Sequence, residues 1–169
     1  MRKLIFIFGF IIITGCTPKN KVVTINQFIP KVGVYEITFK AVYGPKKNNT
    51  AKGILKLFKV KWSMRSDRRF LYGSVDDIDF DIVAAPICDV DPASQDPLNP
   101  GVVVTKSGSN IIIGSSGNKW TPGQTISDGC GIVLSIQKFK NNDFMGYWEP
   151  YGIIAGGTGE YEAKFIREH

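Results

Sequence analysis

Alternation of apolar and polar residues with a period of two is the feature that most constrains the fold of this chain. Between residues 34 and 43, apolar side chains occupy every second position and polar side chains lie between them. This spacing places one set on each face of an extended chain, so the pattern predicts a half-buried β-strand. No window of helical length carries apolar residues at i, i+3, i+4 and i+7. The apolar face comprises Tyr35, Ile37, Phe39, Ala41 and Tyr43, opposite Glu36, Thr38 and Lys40.

Further segments have strand character and are separated by turn residues. The segment 53–62 has a phase slip at Leu57 and Phe58, which predicts a β-bulge. The segment 70–84 alternates isoleucine and phenylalanine with aspartate. The remaining predicted strands are 102–105, 110–114, 131–140, 143–149 and 161–166.

About eight strands joined by turns, without crossover helices, predict an all-β fold. We expect a single antiparallel β-barrel of about eight strands, and the alternative is a β-sandwich of two sheets. The segment 86–101 contains four prolines, so it is expected to form a long loop rather than a central strand. A barrel of about eight strands is either filled by its own side chains or keeps a cavity for one small ligand.

The N-terminus has the pattern of an export signal. Arg2 and Lys3 precede a ten-residue apolar run at 4–13. This run is too short to cross a hydrocarbon core, which takes about 20 helical residues, but it suits the apolar part of a signal peptide. The sequence ITGC follows at 13–16 and resembles the bacterial lipobox, in which the cysteine is acylated and becomes the new N-terminus. The alternatives are an ordinary secretory signal or a short anchor with an unrelated cysteine.

The resemblance to a lipobox implies that Cys16 is the site of lipid attachment. Residues 1–15 are then a lipoprotein signal peptide, residues 16–21 a lipidated tether and residues 22–169 the barrel domain. Two or more acyl chains hold a protein on a membrane essentially permanently. The implied location is the bacterial cell envelope. Because Thr17 rather than aspartate follows the cysteine, the resemblance implies the outer membrane if the organism is Gram-negative.

Export gives the other two cysteines a structural interpretation. Cys88 and Cys130 are expected to form a disulfide in an oxidising compartment, which would stabilise the fold by roughly 4 kcal/mol on the chain-entropy model. The alternative is two free thiols. The chain has one histidine, at its C-terminus, and no Cys-x-x-Cys, so no zinc site is expected, and no cofactor is predicted.

The charge of the chain bears on its partners. There are 21 basic and 15 acidic residues, a net charge of +6. A modest excess of this kind helps a domain to lie near anionic headgroups, where each basic residue contributes about 1 kcal/mol. It does not indicate nucleic acid. The dense basic cluster in residues 56–69 is interpreted as a solvated strand face and its turn.

A glycine-rich segment near the C-terminus suggests a family. An apolar strand leads into the sequence GGTG, one spacer and an aromatic residue. The glycines permit positive φ and close backbone approach, the threonine can hydrogen-bond the turn, and the aromatic ring is expected in the core. The residues are Gly156, Gly157, Thr158, Gly159 and Tyr161.

This pattern resembles the C-terminal hairpin of the dirigent and allene oxide cyclase family, in which an apolar run leads into GGTG-x-Phe. The resemblance implies an eight-stranded barrel with a hydrophobic pocket. In that family the reactions act on oxidised lipids or phenolic radicals. Tyr161 stands where the family has phenylalanine, and no functional carboxylate aligns with this chain. A shared fold does not carry function, so no catalytic residue is transferred.

The sequence offers few groups for catalysis. Asp77, Asp79 and Asp81 would have raised pKa values and could act in acid–base chemistry if they faced the interior. The apolar residues between them favour the opposite orientation, with the aspartates in water. The aspartates of 86–101 lack the spacing of a calcium loop. No internal histidine is present to activate a serine, so no catalytic residue is assigned.

Aromatic residues supply the candidate binding site. Trp62, Trp148 and Tyr147 are candidates to line a pocket for an apolar or aromatic ligand, and their alternative role is core packing.

The leading hypothesis is a membrane-anchored envelope lipoprotein whose barrel binds an apolar small ligand or a partner protein. One alternative is a cyclase- or isomerase-like enzyme that steers a reactive apolar intermediate in the pocket. The other is a structural envelope interaction protein with a filled barrel.

Overall fold

Eight β-strands make up most of the part of the chain that the structure describes. The computed structural model describes residues 29–60, 69–80, 83, 91–97, 100–105, 110–114, 131–150 and 157–169. No helix among these residues is long and apolar enough to cross a membrane. The strands are β1 (Gly33–Tyr43), β2 (Thr50–Lys59), β3 (Arg69–Asp76), β4 (Val102–Thr105), β5 (Asn110–Ile113), β6 (Ile132–Lys140), β7 (Asp143–Pro150) and β8 (Thr158–Arg167).

These strands form one closed barrel. Each strand pairs with its neighbours in sequence, and β8 pairs with β1 to complete the circle. All pairs are antiparallel. The prediction of a single antiparallel barrel of about eight strands is confirmed, and the sandwich alternative is wrong. Closure removes the unpaired strand edges through which sheet proteins aggregate.

Inward-facing side chains from all eight strands meet in one hydrophobic cluster. Alternation places Tyr35, Ile37 and Phe39 on the inner face of β1, and all three are completely buried. Phe144 and Trp148 of β7 are also completely buried. The rings of Tyr35 and Phe144 meet edge to face with centroids 5.2 Å apart. Such pairs stabilise a fold by about 0.5–1.5 kcal/mol beyond the effect of burying their apolar area. The geometry of the ring contacts therefore adds to the hydrophobic stabilisation of the core.

Aromatic contacts extend the core at both ends of the barrel. Where β1 starts, Tyr35 packs edge to face on Phe165 at 5.2 Å, and its hydroxyl donates a 2.6 Å hydrogen bond to the Lys31 carbonyl. At the opposite end, Phe80 packs edge to face on Phe39 at 5.6 Å. Side chains therefore occupy the interior along the length of the strands.

Strands β4 and β5 are buried on both faces. All four residues of β4 and three of the four in β5 are buried. Val103 pairs with Tyr72 on one side and with Ile112 on the other. These three residues occupy the outward phase of their strands and are nevertheless buried. Continuous apolar runs in the sequence thus correspond to strands that are covered on both sides.

The predicted bulge at Leu57 and Phe58 is wrong. β2 pairs with both neighbours without a register shift, and its alternation of burial continues through these residues. Phe58 lies on the outer face, where its ring stacks on Tyr72 at 5.3 Å and on His169 at 4.3 Å. These two ring contacts explain why an apolar residue occupies an outward-facing position at Phe58.

The predicted strand 70–84 is shorter in the structure. β3 ends at Asp76, and Asp77 adopts a left-handed backbone with φ of 57°, which interrupts an extended chain. Asp77 and Asp79 are exposed, whereas Phe80 is buried. The orientation of the aspartates toward water is therefore confirmed for these two positions. The third aspartate of the series lies outside the described residues.

A bulge near the end of β1 reverses the predicted orientation of Tyr43. Ala41 pairs with Gly159 and Tyr43 pairs with Thr158, so Val42 is an extra residue in β1. One extra residue shifts the alternation of the strand. The Tyr43 side chain is consequently 72% exposed, and its predicted place on the inner face is wrong.

Closure of the barrel depends on a glycine at the seam. Gly159 lies opposite Trp148 of β7 and Ala41 of β1. The Trp148 indole N–H donates a 3.2 Å hydrogen bond to the Lys40 carbonyl of β1. A Cβ at Gly159 would lie 1.9 Å from that carbonyl oxygen and 2.5 Å from the indole nitrogen. Only glycine therefore accommodates both the strand pairing and the indole.

Replacing this glycine tests its role in closure. Gly159→Ala is expected to lower the free energy of unfolding by about 3 kcal/mol, because the added methyl group must displace a backbone carbonyl. Thr158→Ala is the matched control at the exposed neighbouring position, where a change within about 0.5 kcal/mol is expected. Urea unfolding measures both. Equal and small effects of the two substitutions would contradict the seam contact.

Candidate functional site

The glycine-rich motif forms the start of β8. Gly157 is buried, and a Cβ there would lie 2.4 Å from the Tyr43 carbonyl oxygen. Thr158 is the exposed first residue of the strand, and Gly159 lies at the seam. The predicted close backbone approach is confirmed at both glycines, but neither has a positive φ. Gly156 lies outside the described residues.

Tyr161 places its ring in the core, as predicted. Its ring lies 6.3 Å from that of Phe39 and 6.1 Å from that of Phe144. Its buried hydroxyl has no hydrogen-bond partner among the residues that the structure describes, and burial raises the pKa of this hydroxyl far above its usual range. Burial likewise raises the pKa of Tyr35, but that hydroxyl donates to a backbone carbonyl. The two core tyrosines thus differ in whether the hydroxyl is paired.

The described part of the core offers little for catalysis. The cluster consists of apolar and aromatic side chains, and the buried polar residues Ser74 and Thr105 are not part of it. General acid–base catalysis requires a titratable group within reach of the substrate, and the described carboxylates lie outside this core. Within the same ranges, no three His, Cys, Asp or Glu residues are grouped closely enough to hold a metal ion.

The candidate pocket residues Trp148 and Tyr147 have side chains on opposite faces of β7. Trp148 is completely buried, whereas Tyr147 is 59% exposed, as expected for successive residues of a strand. Both residues border a groove, and this groove lies on the outer surface of the barrel. The sequence therefore identified neighbours of one groove but not the face on which it lies.

A row of four outward-facing residues crosses strands β1, β8, β7 and β6. Lys40 is opposite Glu160, Glu160 is opposite Tyr147, and Tyr147 is opposite Ser135. Residues directly opposite in an antiparallel pair have Cβ atoms about 4.5–5.5 Å apart. The exposed ring of Tyr147 therefore has a carboxylate on one side and a hydroxyl on the other. We call this row and the grooves beside it the Tyr147 face.

Two grooves flank the row. The larger has a volume of about 460 Å³ and extends toward Met145. The smaller has a volume of about 410 Å³ and extends toward Glu149. Gln137, Tyr147 and Glu160 border both grooves. The tyrosine ring thus stands between two depressions, each large enough to receive side chains of a partner.

A β-bulge shapes the wall of the grooves. The register between β6 and β7 shifts around Gln137, which is an extra residue in β6 and is exposed. A Cβ at Gly146 would lie 1.9 Å from the Ser135 carbonyl oxygen. Glycine at this position therefore lets the bulged strand approach β7 closely, and the bulged residue Gln137 borders both grooves.

Charges of both signs border the Tyr147 face. The larger groove is lined by Lys40, Lys138, Glu160 and Glu162. The charged residues lining the smaller groove are Glu149 and Glu160, both acidic. An exposed aromatic ring with a polar and charged surround is the arrangement of a protein interface, in which aromatic contacts supply the centre and polar groups the rim.

The sequence identifies Tyr147 but not two of its neighbours, Glu160 and Gln137. Glu160 had a signal, because the alternation in the segment GEYE places it on the face opposite the buried Tyr161. Gln137 had no such signal, because its orientation depends on a β-bulge that cannot be recognised in the sequence. The cross-strand register that brings these residues to Tyr147 is likewise a property of the closed sheet.

Several predicted site residues lie outside the described part of the chain, so lipid attachment, the disulfide and one candidate pocket residue remain predictions. These residues are Cys16, Cys88, Cys130, Gly156 and Trp62.

Comparison of the chain with protein-family models, with curated proteins and with solved structures finds no match. The resemblance to the dirigent and allene oxide cyclase family rests on the sequence motif alone.

The two core tyrosines provide a matched test of the interior. Tyr161→Phe removes an unpaired buried hydroxyl, so the free energy of unfolding is expected to stay the same or to rise by up to about 1 kcal/mol. Tyr35→Phe makes the same chemical change but removes a hydrogen bond, and a loss of about 1 kcal/mol is expected. Denaturant unfolding measures both. A clear loss for Tyr161→Phe would show that its hydroxyl is paired in the native state.

Proposed function

We propose that this protein is a lipid-anchored interaction protein of the bacterial cell envelope, which binds a partner protein through the Tyr147 face. The observation that carries the proposal is the contrast between the two sides of the barrel wall. Inside, buried side chains from all eight strands form one cluster. Outside, an exposed tyrosine stands between two grooves.

The filled interior favours a partner outside the barrel over a ligand within it. A ligand of ordinary size needs a cavity of about 300–1,000 Å³, and the grooves of that size described here are on the outer surface. A cyclase- or isomerase-like reaction would in addition need a group to steer the intermediate. The described core offers mainly aliphatic and aromatic side chains, which supports an interaction protein over an enzyme.

The chemistry of the Tyr147 face suits a protein partner. Tyrosine and methionine are enriched at the centres of protein interfaces, and Tyr147 and Met145 both border the larger groove. A closed sheet holds these residues on a rigid wall, so little conformational entropy is lost on binding. The carboxylates of Glu149 and Glu160 favour basic groups on the partner above the smaller groove.

The N-terminal sequence supports the envelope location. The basic start, the apolar run of ten residues and the sequence ITGC at 13–16 together match the pattern of an acylated bacterial lipoprotein. Cys16 is the proposed attachment site, and Thr17 after it favours the outer membrane if the organism is Gram-negative. An acyl anchor would confine the barrel to a membrane surface and so raise its effective concentration for partners there.

Replacing the exposed tyrosine tests the proposed interface. A photo-crosslinking residue at position 147, introduced in the native host, is expected to capture one discrete envelope protein, which mass spectrometry then identifies. Tyr147→Ala is expected to weaken binding of that protein by about 2 kcal/mol, or roughly 30-fold, as for a central interface tyrosine. Tyr43→Ala is the matched control, because this tyrosine is also exposed but does not border either groove. Equal effects of the two substitutions would refute the Tyr147 face as the interface.

The anchor is tested by a substitution at the proposed lipid site. Cys16→Ser is expected to abolish acylation, so the protein loses the acyl mass and leaves the detergent phase, since no acyl chain remains to bury. Thr17→Ser keeps the cysteine and is expected to fractionate as the native protein does. Detergent-phase partitioning and intact-protein mass spectrometry provide the measurement. Unchanged partitioning and unchanged mass in Cys16→Ser would refute the lipobox interpretation.

A further inference from the structure

The two ends of the barrel are distinguished by where the chain enters and leaves. In an antiparallel barrel, alternate connections lie at the same end. β1 starts and β8 ends at one of them, which we call the tether end because the N-terminal segment joins the barrel there. β1 ends and β8 starts at the opposite end, which we call the far end. This arrangement sorts the charged residues of the chain between two surfaces.

Basic side chains predominate at the tether end. We consider the described side chains in the three terminal residues of each strand and in the adjoining chain. At this end five of them are basic and two are acidic, and all five basic residues are exposed. The basic residues are Lys31, Lys59, Lys138, Lys140 and Arg167, and the acidic residues are Asp143 and Glu168.

Acidic side chains predominate at the far end. By the same criterion, seven described residues there are acidic and three are basic. The acidic residues are Asp76, Asp77, Asp79, Asp91, Asp96, Glu149 and Glu160, and the basic residues are Lys46, Lys47 and Lys52. The described residues therefore give the two ends of the barrel opposite net charge, although the chain as a whole is basic.

Exposed apolar residues accompany the basic ones at the tether end. Ile29 precedes β1 and is 41% exposed, and Ile166 near the end of β8 is 53% exposed. The register with β1 shows that Ile166 is the extra residue of a bulge, which turns its side chain outward beside Arg167. Basic and apolar groups together are the combination that binds the headgroup region of an anionic membrane.

We propose that the tether end docks directly on an anionic phospholipid surface, so that the barrel axis points away from the membrane. Each basic residue near such a surface strengthens binding roughly fivefold. A tilted strand of about ten residues makes the barrel about 25 Å long, whereas the Debye length at 0.1 M salt is about 10 Å. The repulsion of the acidic far end is therefore largely screened, while the tether end remains within reach of the surface charge.

This inference rests on the proposed envelope anchoring, because the chain that would carry the lipid leads into this end. The residues at 17–28 span at most about 40 Å even when fully extended. An acyl group at Cys16 therefore holds the tether end within about 40 Å of the bilayer. Anchor and electrostatic contact would then act on the same end.

Vesicle binding by charge-reversal variants tests the proposal. The chain that begins at Thr17 is used throughout, so that neither the acyl anchor nor the apolar run at 4–13 contributes to binding. Cosedimentation compares vesicles of phosphatidylcholine alone with vesicles that also contain phosphatidylglycerol. We expect binding to the anionic vesicles to be stronger by at least about tenfold at about 0.1 M salt, and the preference to disappear near about 1 M salt.

Two double variants and one matched control locate the contact. Lys138→Glu with Lys140→Glu is expected to reduce the preference for anionic vesicles by about tenfold or more. Lys59→Glu with Arg167→Glu, on other strands of the same end, is expected to act likewise. Lys47→Glu with Lys52→Glu makes the same change in net charge at the far end and is expected to leave the preference intact. Circular dichroism verifies that each variant keeps the β-sheet spectrum.

Three results would overturn the proposal. One is equal binding to anionic and neutral vesicles by the chain whose tether end carries no substitution. Another is an equal loss in the far-end control, which would mean that net charge rather than the tether end determines binding. The third is binding to duplex DNA that depends on Lys138 and Lys140 without binding to vesicles, which would indicate a polyanion of another class. None of these results bears on the acyl anchor, because every chain in the experiment lacks Cys16.

Discussion

The pairing of β1 with β8 is the constraint on which the rest of the structure depends. At this seam Gly159 of β8 leaves room for the Trp148 indole of β7 to donate a hydrogen bond to the Lys40 carbonyl of β1. Closure removes every free sheet edge and fixes the radius of the barrel. At eight strands, that radius is one that side chains alone can fill, and here they form a single core. The inner side chains therefore stabilise the fold, and the outer surface is left to bind partners.

The Tyr147 face and the basic tether end are compatible with one orientation of the barrel on a membrane. The Tyr147 face lies on the side wall, across β1 and β6 to β8, and the basic surface lies at the end where the N-terminal segment joins, with Lys138 at the border of the two. A barrel that stands on its tether end would hold the Tyr147 face perpendicular to the membrane plane and direct it sideways, toward other envelope proteins. The acidic far end would point away from the lipid headgroups. The end of the barrel would then contact the membrane, and its side wall would contact the partner protein.

The sequence predicts the barrel but not the details that shape its surface. Period-two alternation identified the strands because each has one face in the core, as in Tyr35, Ile37 and Phe39. It failed at Tyr43, where one extra residue reverses the phase, and at Phe58, whose outward ring is sheltered by aromatic neighbours. Bulges depend on long-range register and leave no local signal. The charge difference between the ends is also hidden, because neighbouring segments of sequence alternate between the two ends.

Amide hydrogen exchange along β8 tests the closed, filled barrel most directly. Successive amides of a central antiparallel strand bond alternately to its two neighbours. The amides of residues 159–163, where β8 pairs with both strands, therefore report on β7 and β1 in turn. In a closed, filled barrel both sets of amides are expected to exchange only through global unfolding, with a free energy equal to that from denaturant unfolding. Rapid exchange of every second amide would mean that β8 pairs with β7 alone, and the barrel would then be an open sheet.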